Sequence, residues 1–153
     1  MLLERLEGVS HGIRLCTTGT AATKAIQQLD LNRVAILAPS WFDEQLCELG
    51  AQYFSDQGIN VVYSAPSGPE GGPLAITAET MGPALEVVAA ETDPDAIFVA
   101  GNGQRAIGAI AHGEEKLGVT ILTANQVLLW AALEGSGLRE RIAGYGRLFS
   151  EGD

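Results

Sequence analysis

The sequence predicts an α/β fold built around a parallel sheet. Short apolar runs alternate with longer segments of helical period, and this order is typical of consecutive β-α-β units. The chain has 153 residues, of which 46% are hydrophobic and 18% charged, so it can form one compact domain with its own core. The predicted strands cover residues 13–16, 33–38, 60–64, 96–100 and 120–122, and a helix follows each strand.

Several helix ends carry chemical signals in the sequence. A hydroxyl or carboxylate just before a helix can accept a hydrogen bond from a free backbone N–H of its first turn. Glycine just after a helix permits the left-handed conformation that stops it. The predicted starts are Ser40 with Asp43 for helix 42–57 and Thr123 with Gln126 for helix 126–133, and the predicted stops are Gly58 and Gly118.

The stretch "SAPSGPEGGP", residues 64–73, contains too much glycine and proline for a helix or a strand. It follows a predicted strand and therefore lies at the carboxyl edge of the sheet, where open parallel sheets bind ligands. Two interpretations stay open for this loop: a mobile flap over a site, or a solvated connection.

Composition excludes several classes of function. A formal net charge of −10 and a pI near 4.5 would repel nucleic acid, and no stretch concentrates Lys or Arg. No run approaches the roughly 20 apolar residues of a membrane span, and the first residues lack the pattern of a signal peptide. Two cysteines are too few for a disulfide framework and match no metal motif. We therefore expect a cytoplasmic protein with no metal, nucleic-acid or membrane partner.

An internal repeat suggests how the chain is organised. "GIRLCTTGTAATKAI" (12–26) and "GVTILTANQVLLWAAL" (118–133) both place a threonine between a four-residue apolar strand and a helix. Residues 1–31 would then be the last strand and helix of a first α/β half, and residues 32–138 a complete doubly wound, Rossmann- or flavodoxin-like half with four parallel strands. Residues 139–153 would form a tail that packs on the first half.

The alternative to duplication is a single five-stranded flavodoxin-like domain whose two ends agree by chance. Under duplication, a lone strand and helix would expose apolar surface, and this predicts either a homo-oligomer or a missing amino-terminal half.

Four segments in order resemble a known family. They are "CTTGTAATKAIQQLDLNRVAILAPSW", "DPDAIFVAGNGQRAIGAI", "EEKLGVTILTANQVLLWAAL" and "GYGRLF". They look like the arylmalonate decarboxylase and maleate cis-trans isomerase branch of the aspartate/glutamate racemase superfamily. The resemblance implies two pseudo-symmetric α/β halves with the active site between them, no metal or organic cofactor, and catalytic thiols at strand ends, one from each half. The resemblance also implies that the substrates are small carboxylic or dicarboxylic acids.

The family's second-half cysteine falls at Gly101 in this sequence. Glycine offers neither a proton nor a nucleophile, so a two-cysteine mechanism is excluded unless another group substitutes. Cys16 and Cys47 are predicted to be structural, because neither stretch shows the positive, exposed surroundings of a reactive thiol. The residues alone favour a plain β-α turn at 101–103 over an anion-binding turn. The resemblance instead assigns substrate-binding positions to Pro39, Ser40, Trp41, Asn102, Gly103, Thr123 and Asn125.

Two classes of function follow from this comparison. The first is a cofactor-independent racemase, isomerase or decarboxylase acting at the α-carbon of small acids, with backbone amides of the 101–103 turn holding an enediolate. The alternative is a catalytically inactive module that binds a small carboxylate or serves an oligomeric structure. We predict packing roles for Trp130 and the "GYGRLF" tail and surface positions for His11 and His112.

Overall fold

The structure, a computed structural model, describes residues 2–138 and 141–150. Its strands are β1 (Arg33–Leu37), β2 (Asn60–Ala65), β3 (Ala96–Val99) and β4 (Thr120–Thr123). Its helices are α1 (Leu2–Glu7), α2 (Thr18–Gln28), α3 (Glu44–Asp56), α4 (Ala78–Thr92), α5 (Ile110–Leu117) and α6 (Ala124–Gly135), with short 3-10 turns at Ile107–Ala109 and Arg147–Phe149.

The four strands pair in parallel in the order β2-β1-β3-β4. The chain runs outward from β1 to β2 and then crosses over β1 to reach β3 and β4. The direction of winding therefore reverses between β1 and β3, and such a switch point leaves a crevice at the carboxyl ends of the strands. The α/β prediction with four parallel strands in residues 32–138 is confirmed.

Helices cover both faces of the sheet. Val34 and Ile36 of β1 point into a core formed with α2, α3 and α6, while Ala35 and Leu37 point into a second core formed with α4 and α5. Because both faces are covered, β1, β3 and β4 are buried along almost their whole length and do not alternate between buried and exposed residues.

Local signals identified some capping residues correctly, although α6 begins at Ala124 rather than at residue 126. Thr123 accepts a hydrogen bond from the backbone of Gln126, whose side chain accepts one from Thr123 N, as the capping box predicted. Gly58 and Gly118 both have positive φ, +80° and +67°, and each follows the end of a helix. These contacts span only three or four residues, which is why the sequence alone identifies them.

The predicted start of α3 requires a correction. Asp43 is the capping residue, with its carboxylate accepting a hydrogen bond from Leu46 N at 2.7 Å, and the helix begins at Glu44 rather than at residue 42. Ser40 does not cap it, because its hydroxyl donates instead to Pro69 O at 2.9 Å, in the loop after β2.

The strand predicted at residues 13–16 is wrong for the described structure. This segment pairs with no strand, the backbone N–H groups of residues 14–16 have no partner among the described residues, and Ile13 is 73% exposed. A strand is defined by the ladder it forms, and an apolar run cannot supply its own partner. The predicted oligomer or missing half that would cover this segment stays a prediction.

The helix that follows this segment supports the repeat. Thr17 caps α2 with the same capping-box geometry as Thr123 at α6. The two helices pack against each other, with Lys24 Nζ 5.3 Å from the ring centre of Trp130 and paired with the Glu134 carboxylate. The assignment of residues 1–31 and 32–138 to two halves nevertheless stays a prediction.

Of the predicted tail, residues 141–150 are described, while 139, 140 and 151–153 lie outside the described residues. Tyr145 O accepts a hydrogen bond from Gln126 Nε2, and Arg147 donates to Glu114 and to Thr120. These partners belong to α6, α5 and β4. The buried side chains at the end of the tail, Leu148 and Phe149, join the core shared by α2, α3 and α6.

Two kinds of feature are missing from residues 2–138 and 141–150. None of the helices in these ranges combines the length and the hydrophobicity that a membrane span requires. No group of three or more His, Cys, Asp or Glu side chains in those ranges is placed to hold a metal ion.

Replacing valine by alanine at one buried and one exposed position should measure how much a side chain of the central strand contributes to the free energy of unfolding. Val34 on β1 is 0% exposed, whereas Val87 on α4 is 54% exposed. We expect Val34→Ala to lower the free energy of unfolding by about 2 kcal/mol, through lost burial and a residual cavity. Val87→Ala should change it by less than about 0.5 kcal/mol. Urea denaturation followed by circular dichroism measures both, and equal losses would contradict the assigned burial.

Candidate functional site

The predicted site residues meet at one edge of the sheet. Parallel strands place all their carboxyl ends on the same side, and the helix after each strand begins there. The turns after β1 and β3, the end of β4 and the amino ends of α2 and α6 share this edge, which we call the carboxyl edge. The hydrogen bonds below show which residues are in contact.

Asn102 connects two helices across this edge. Its Nδ2 donates to Asn125 Oδ1 at 3.0 Å, and Asn125 Nδ2 donates back to the backbone carbonyl of Asn102 at 3.0 Å. Thr18, at the start of α2, donates its hydroxyl hydrogen to Asn102 Oδ1 at 3.2 Å. The structure therefore joins two predicted site residues and adds Thr18, which the sequence analysis missed although Thr17 beside it matches Thr123 in the repeat.

The carboxyl edge is rich in free N–H donors. The first N–H groups of a helix have no partner within it, and here these are Thr18 and Gly19 of α2 and Ala124 and Asn125 of α6. The backbone N–H groups of residues 101–103 also lack partners in the described part of the chain. Each helix amino end carries roughly half a positive charge. The arrangement therefore suits an anion that accepts several hydrogen bonds.

Gly101 is required by its backbone and by its neighbour. Its φ is +84°, a left-handed value that side chains disfavour. A β-carbon built there would lie 2.6 Å from Pro39 Cγ and 3.8 Å from Phe42 Cζ. Because Pro39 follows β1 and Gly101 follows β3, this contact lies at the switch point. Position 101 cannot carry a cysteine side chain while Pro39 stays where it is.

The turn after β1 lies against the other loops of the edge. Trp41 is exposed. A β-carbon built on Gly103 would lie 3.5 Å from Trp41 Cζ2 and 3.6 Å from Pro73 Cγ. Gly68 is buried and donates its N–H to Ala38 O at 2.9 Å. Together with the Ser40 to Pro69 bond, this fastens the middle of loop 64–73 to the turn after β1, and its role as a mobile flap stays a prediction.

Thr123 and the two cysteines occupy different surroundings. Thr123 is buried, with its hydroxyl engaged in capping α6, so a substrate-binding role for it stays a prediction. Burial raises the pKa of the Cys47 thiol, and the nearby carboxylates of Asp43 and Glu44 raise it further. Cys16 is exposed and lies two residues before Thr18.

The two histidines lie outside the carboxyl edge. His11 is exposed and precedes the segment without a strand partner. His112 on α5 is also exposed, and it lines a groove of about 410 Å³ between α4 and α5 that shares no residue with the site.

Comparisons with known proteins agree with the resemblance in the sequence. A family model described as arylmalonate decarboxylase matches residues 2–149. An arylmalonate decarboxylase of Bordetella bronchiseptica is 28% identical over 145 residues, covering 92% of this chain and 59% of the relative. The chain thus spans about 60% of the length of the relatives that it matches.

Solved structures of this group share the fold. A crystal structure of arylmalonate decarboxylase gives a TM-score of 0.79 at 23% identity, over 89% of this chain and 60% of that chain. A maleate isomerase of Pseudomonas putida, solved with maleate, gives a TM-score of 0.76 at 27% identity, over 96% of this chain and 60% of that chain. The placement in this branch of the racemase superfamily is confirmed.

Adding one methyl group to the turn after β3 should distinguish its two glycines. Gly101→Ala should lower the free energy of unfolding by about 2 to 4 kcal/mol, because it combines a positive φ with overlap on Pro39. Gly103→Ala is the matched control, since its new methyl meets only ordinary contacts, and the expected change is below about 0.5 kcal/mol. Equal stability of the two variants in thermal or urea unfolding would show that Pro39 does not occupy this space.

The two thiols should differ in reactivity. In native protein at pH 8, iodoacetamide should label Cys16 and leave Cys47 unmodified, because Cys47 is buried and its raised pKa keeps it protonated. After unfolding in urea both should react. Intact-mass spectrometry followed by peptide mapping counts the labels, and rapid native labelling of Cys47 would contradict its placement in the core.

Proposed function

Because the chain belongs to the arylmalonate decarboxylase family, we propose that its carboxyl edge binds a small carboxylate or dicarboxylate and stabilises the enediolate formed at the acid's α-carbon. The proposal covers the general group of cofactor-independent racemases, isomerases and decarboxylases. It assigns binding to Asn102, Asn125, Gly103 and the amino ends of α2 and α6.

The observation that supports this proposal is the convergence of N–H donors on Asn102. One hydrogen of each carboxamide is used within the network, and the second hydrogen on Asn102 Nδ2 and on Asn125 Nδ2 is left for a ligand. The backbone N–H groups of residues 101–103 add further donors. A carboxylate can accept four such bonds, and an enediolate accepts the same bonds more strongly because it carries more negative charge on oxygen.

In this proposal Gly101 contributes a backbone N–H and no proton transfer. Removal of CO2 from an arylmalonate leaves an enediolate, which must receive one proton at the α-carbon to give the arylacetate. The proton donor has to be a group other than residue 101. Cys16 is the exposed thiol of the described residues, and Cys47 is buried and kept protonated.

The contact between Pro39 and Gly101 favours a second candidate, a module that binds a carboxylate without converting it. The Pro39 ring occupies the space that a cysteine side chain at position 101 would need. The backbone N–H donors of the turn remain available for binding, but no thiol is present at this position to act as an acid. The two candidates share one binding site and differ only in turnover.

Binding and turnover can be measured on one sample. Phenylmalonate and maleate would be titrated into ¹⁵N-labelled protein, and we expect the amide resonances of residues 18–19, 101–103 and 124–125 to shift together. The same sample in ²H₂O would be followed for phenylacetate, fumarate and deuterium at the α-carbon. Products support the enzyme, binding without products supports the module, and no shift with either acid would contradict both.

Replacing the Asn102 carboxamide by a carboxylate should weaken binding. Asn102→Asp places a negative charge among the donors, and we expect at least a tenfold loss of affinity for either acid, since 1.4 kcal/mol is tenfold and repulsion at contact exceeds this. Asn60→Asp is the matched control: it adds the same charge at the start of β2, the opposite end of the sheet, and should leave affinity within about twofold. Similar losses in both variants, measured by calorimetry, would indicate a nonspecific charge effect.

A further inference from the structure

Gln104 lies where three loops of the carboxyl edge meet. It is 3% exposed, so its carboxamide is inside the protein. Its backbone N–H donates to Gly101 O at 3.1 Å, and its side-chain Nε2 donates to Ala100 O at 2.8 Å. One residue therefore closes the turn after β3 twice, once through the main chain and once through the side chain.

The opposite end of the carboxamide faces the loops after β1 and β2. A β-carbon built on Gly68 would lie 2.7 Å from Gln104 Oε1, 3.0 Å from Ala38 O and 3.2 Å from Pro39 Cα. Only a glycine lets the loop after β2 approach this closely. Gln104 Oε1 thus lies beside Gly68 of the loop after β2, and Gly68 in turn lies against Ala38 and Pro39 after β1.

The orientation of the carboxamide is fixed, and it leaves an oxygen without a partner. The carbonyl of Ala100 can only accept a hydrogen bond, so it must face Nε2, and Oε1 must point the other way. Oε1 is buried and has no hydrogen-bond partner in the described part of the chain. A buried acceptor without a donor destabilises a fold, and a methionine of similar length would avoid this.

We propose that Gln104 is a positioning residue, which holds the backbone N–H groups of residues 101–103 in the arrangement that receives a carboxylate. The proposal rests on the function proposed above for the same edge. Asn102 is held from outside by Asn125 and Thr18, and Gln104 holds the turn from inside. The unpartnered oxygen is the structural cost of placing a hydrogen-bond donor under this turn.

The test uses Gln104→Met in the full chain, with two readouts. The affinity for phenylmalonate and maleate should fall about tenfold, because the N–H groups of the turn are no longer held in place. Without any ligand, the ¹⁵N–¹H resonances of residues 101–103 should shift or broaden, while the melting temperature should stay close to that of the parent protein, since the lost bond is offset by removal of the unpartnered oxygen.

Gln126→Met is the matched control for loss of a buried glutamine. Gln126 is also buried, but both ends of its carboxamide are bonded, to Thr123 N and to Tyr145 O. Its replacement leaves two polar groups without partners, and we expect the melting temperature to fall by roughly 5 °C or more. A purely structural role for Gln104 would make the two variants behave alike.

The outcomes separate this proposal from the proposed function. Weaker binding together with altered turn resonances supports both. If the parent protein binds neither acid but the turn resonances still change in Gln104→Met, the proposed function fails, and what stands is that Gln104 holds the turn. A folded Gln104→Met protein with unchanged turn resonances and, where the parent binds, unchanged affinity overturns the proposal.

A second measurement covers the case in which Gln104→Met does not fold. In the parent protein, the Nε2 hydrogen bonded to Ala100 O should exchange slowly with solvent, with a protection comparable to that of the β3 amides. Fast exchange of both Nε2 hydrogens would mean that the side chain does not hold the turn, and it would overturn the proposal without any variant.

Discussion

The carboxyl edge depends on one constraint, which is that α2 and α6 begin at the same place. Each helix is capped by a threonine with the same capping-box geometry, and the two helices pack side by side. Asn102 can therefore reach a residue at the start of each helix with a single side chain. Were the two amino ends further apart, the turn after β3 would lose one of its supports and the positive ends of the helices would act on different points in space.

The switch point explains where along the edge a ligand has room. In doubly wound sheets the crevice between the two directions of winding receives the ligand. Here that crevice lies between β1 and β3, where Pro39 leaves no room for a side chain on Gly101. The free donors lie on the other side of Gly101, toward β4 and α2.

Contacts between neighbours in the chain could be predicted from the sequence, whereas contacts between distant residues could not. The capping of α6 by Thr123 and the left-handed stop at Gly118 involve neighbours in the chain, and the sequence predicted both. The sequence predicted Ser40 as a helix cap because a helix follows it closely. Its hydroxyl instead donates a hydrogen bond to Pro69 O, 29 residues further along the chain. No sequence pattern reports a partner at that separation.

The same limit explains the strand that did not form and the residues that the sequence analysis missed. Residues 13–16 have the composition of a strand, yet the composition says nothing of whether a second strand is present to complete the ladder. Thr18 and Gln104 look like an ordinary helix residue and an ordinary loop residue. Their roles come from contacts with Asn102 and from the meeting of three loops, and both depend on the sheet having assembled first.

Net charge and local donors act on different scales at this site. A chain with a formal charge of −10 repels an approaching dicarboxylate over distances of about a Debye length, roughly 8 Å at physiological ionic strength. At contact, hydrogen bonds from neutral amides dominate, because they act on individual oxygen atoms and are little screened. Fixed neutral donors also respond to the charge that develops during a reaction. They bind an enediolate more strongly than the carboxylate that precedes it, and that difference is what lowers a barrier.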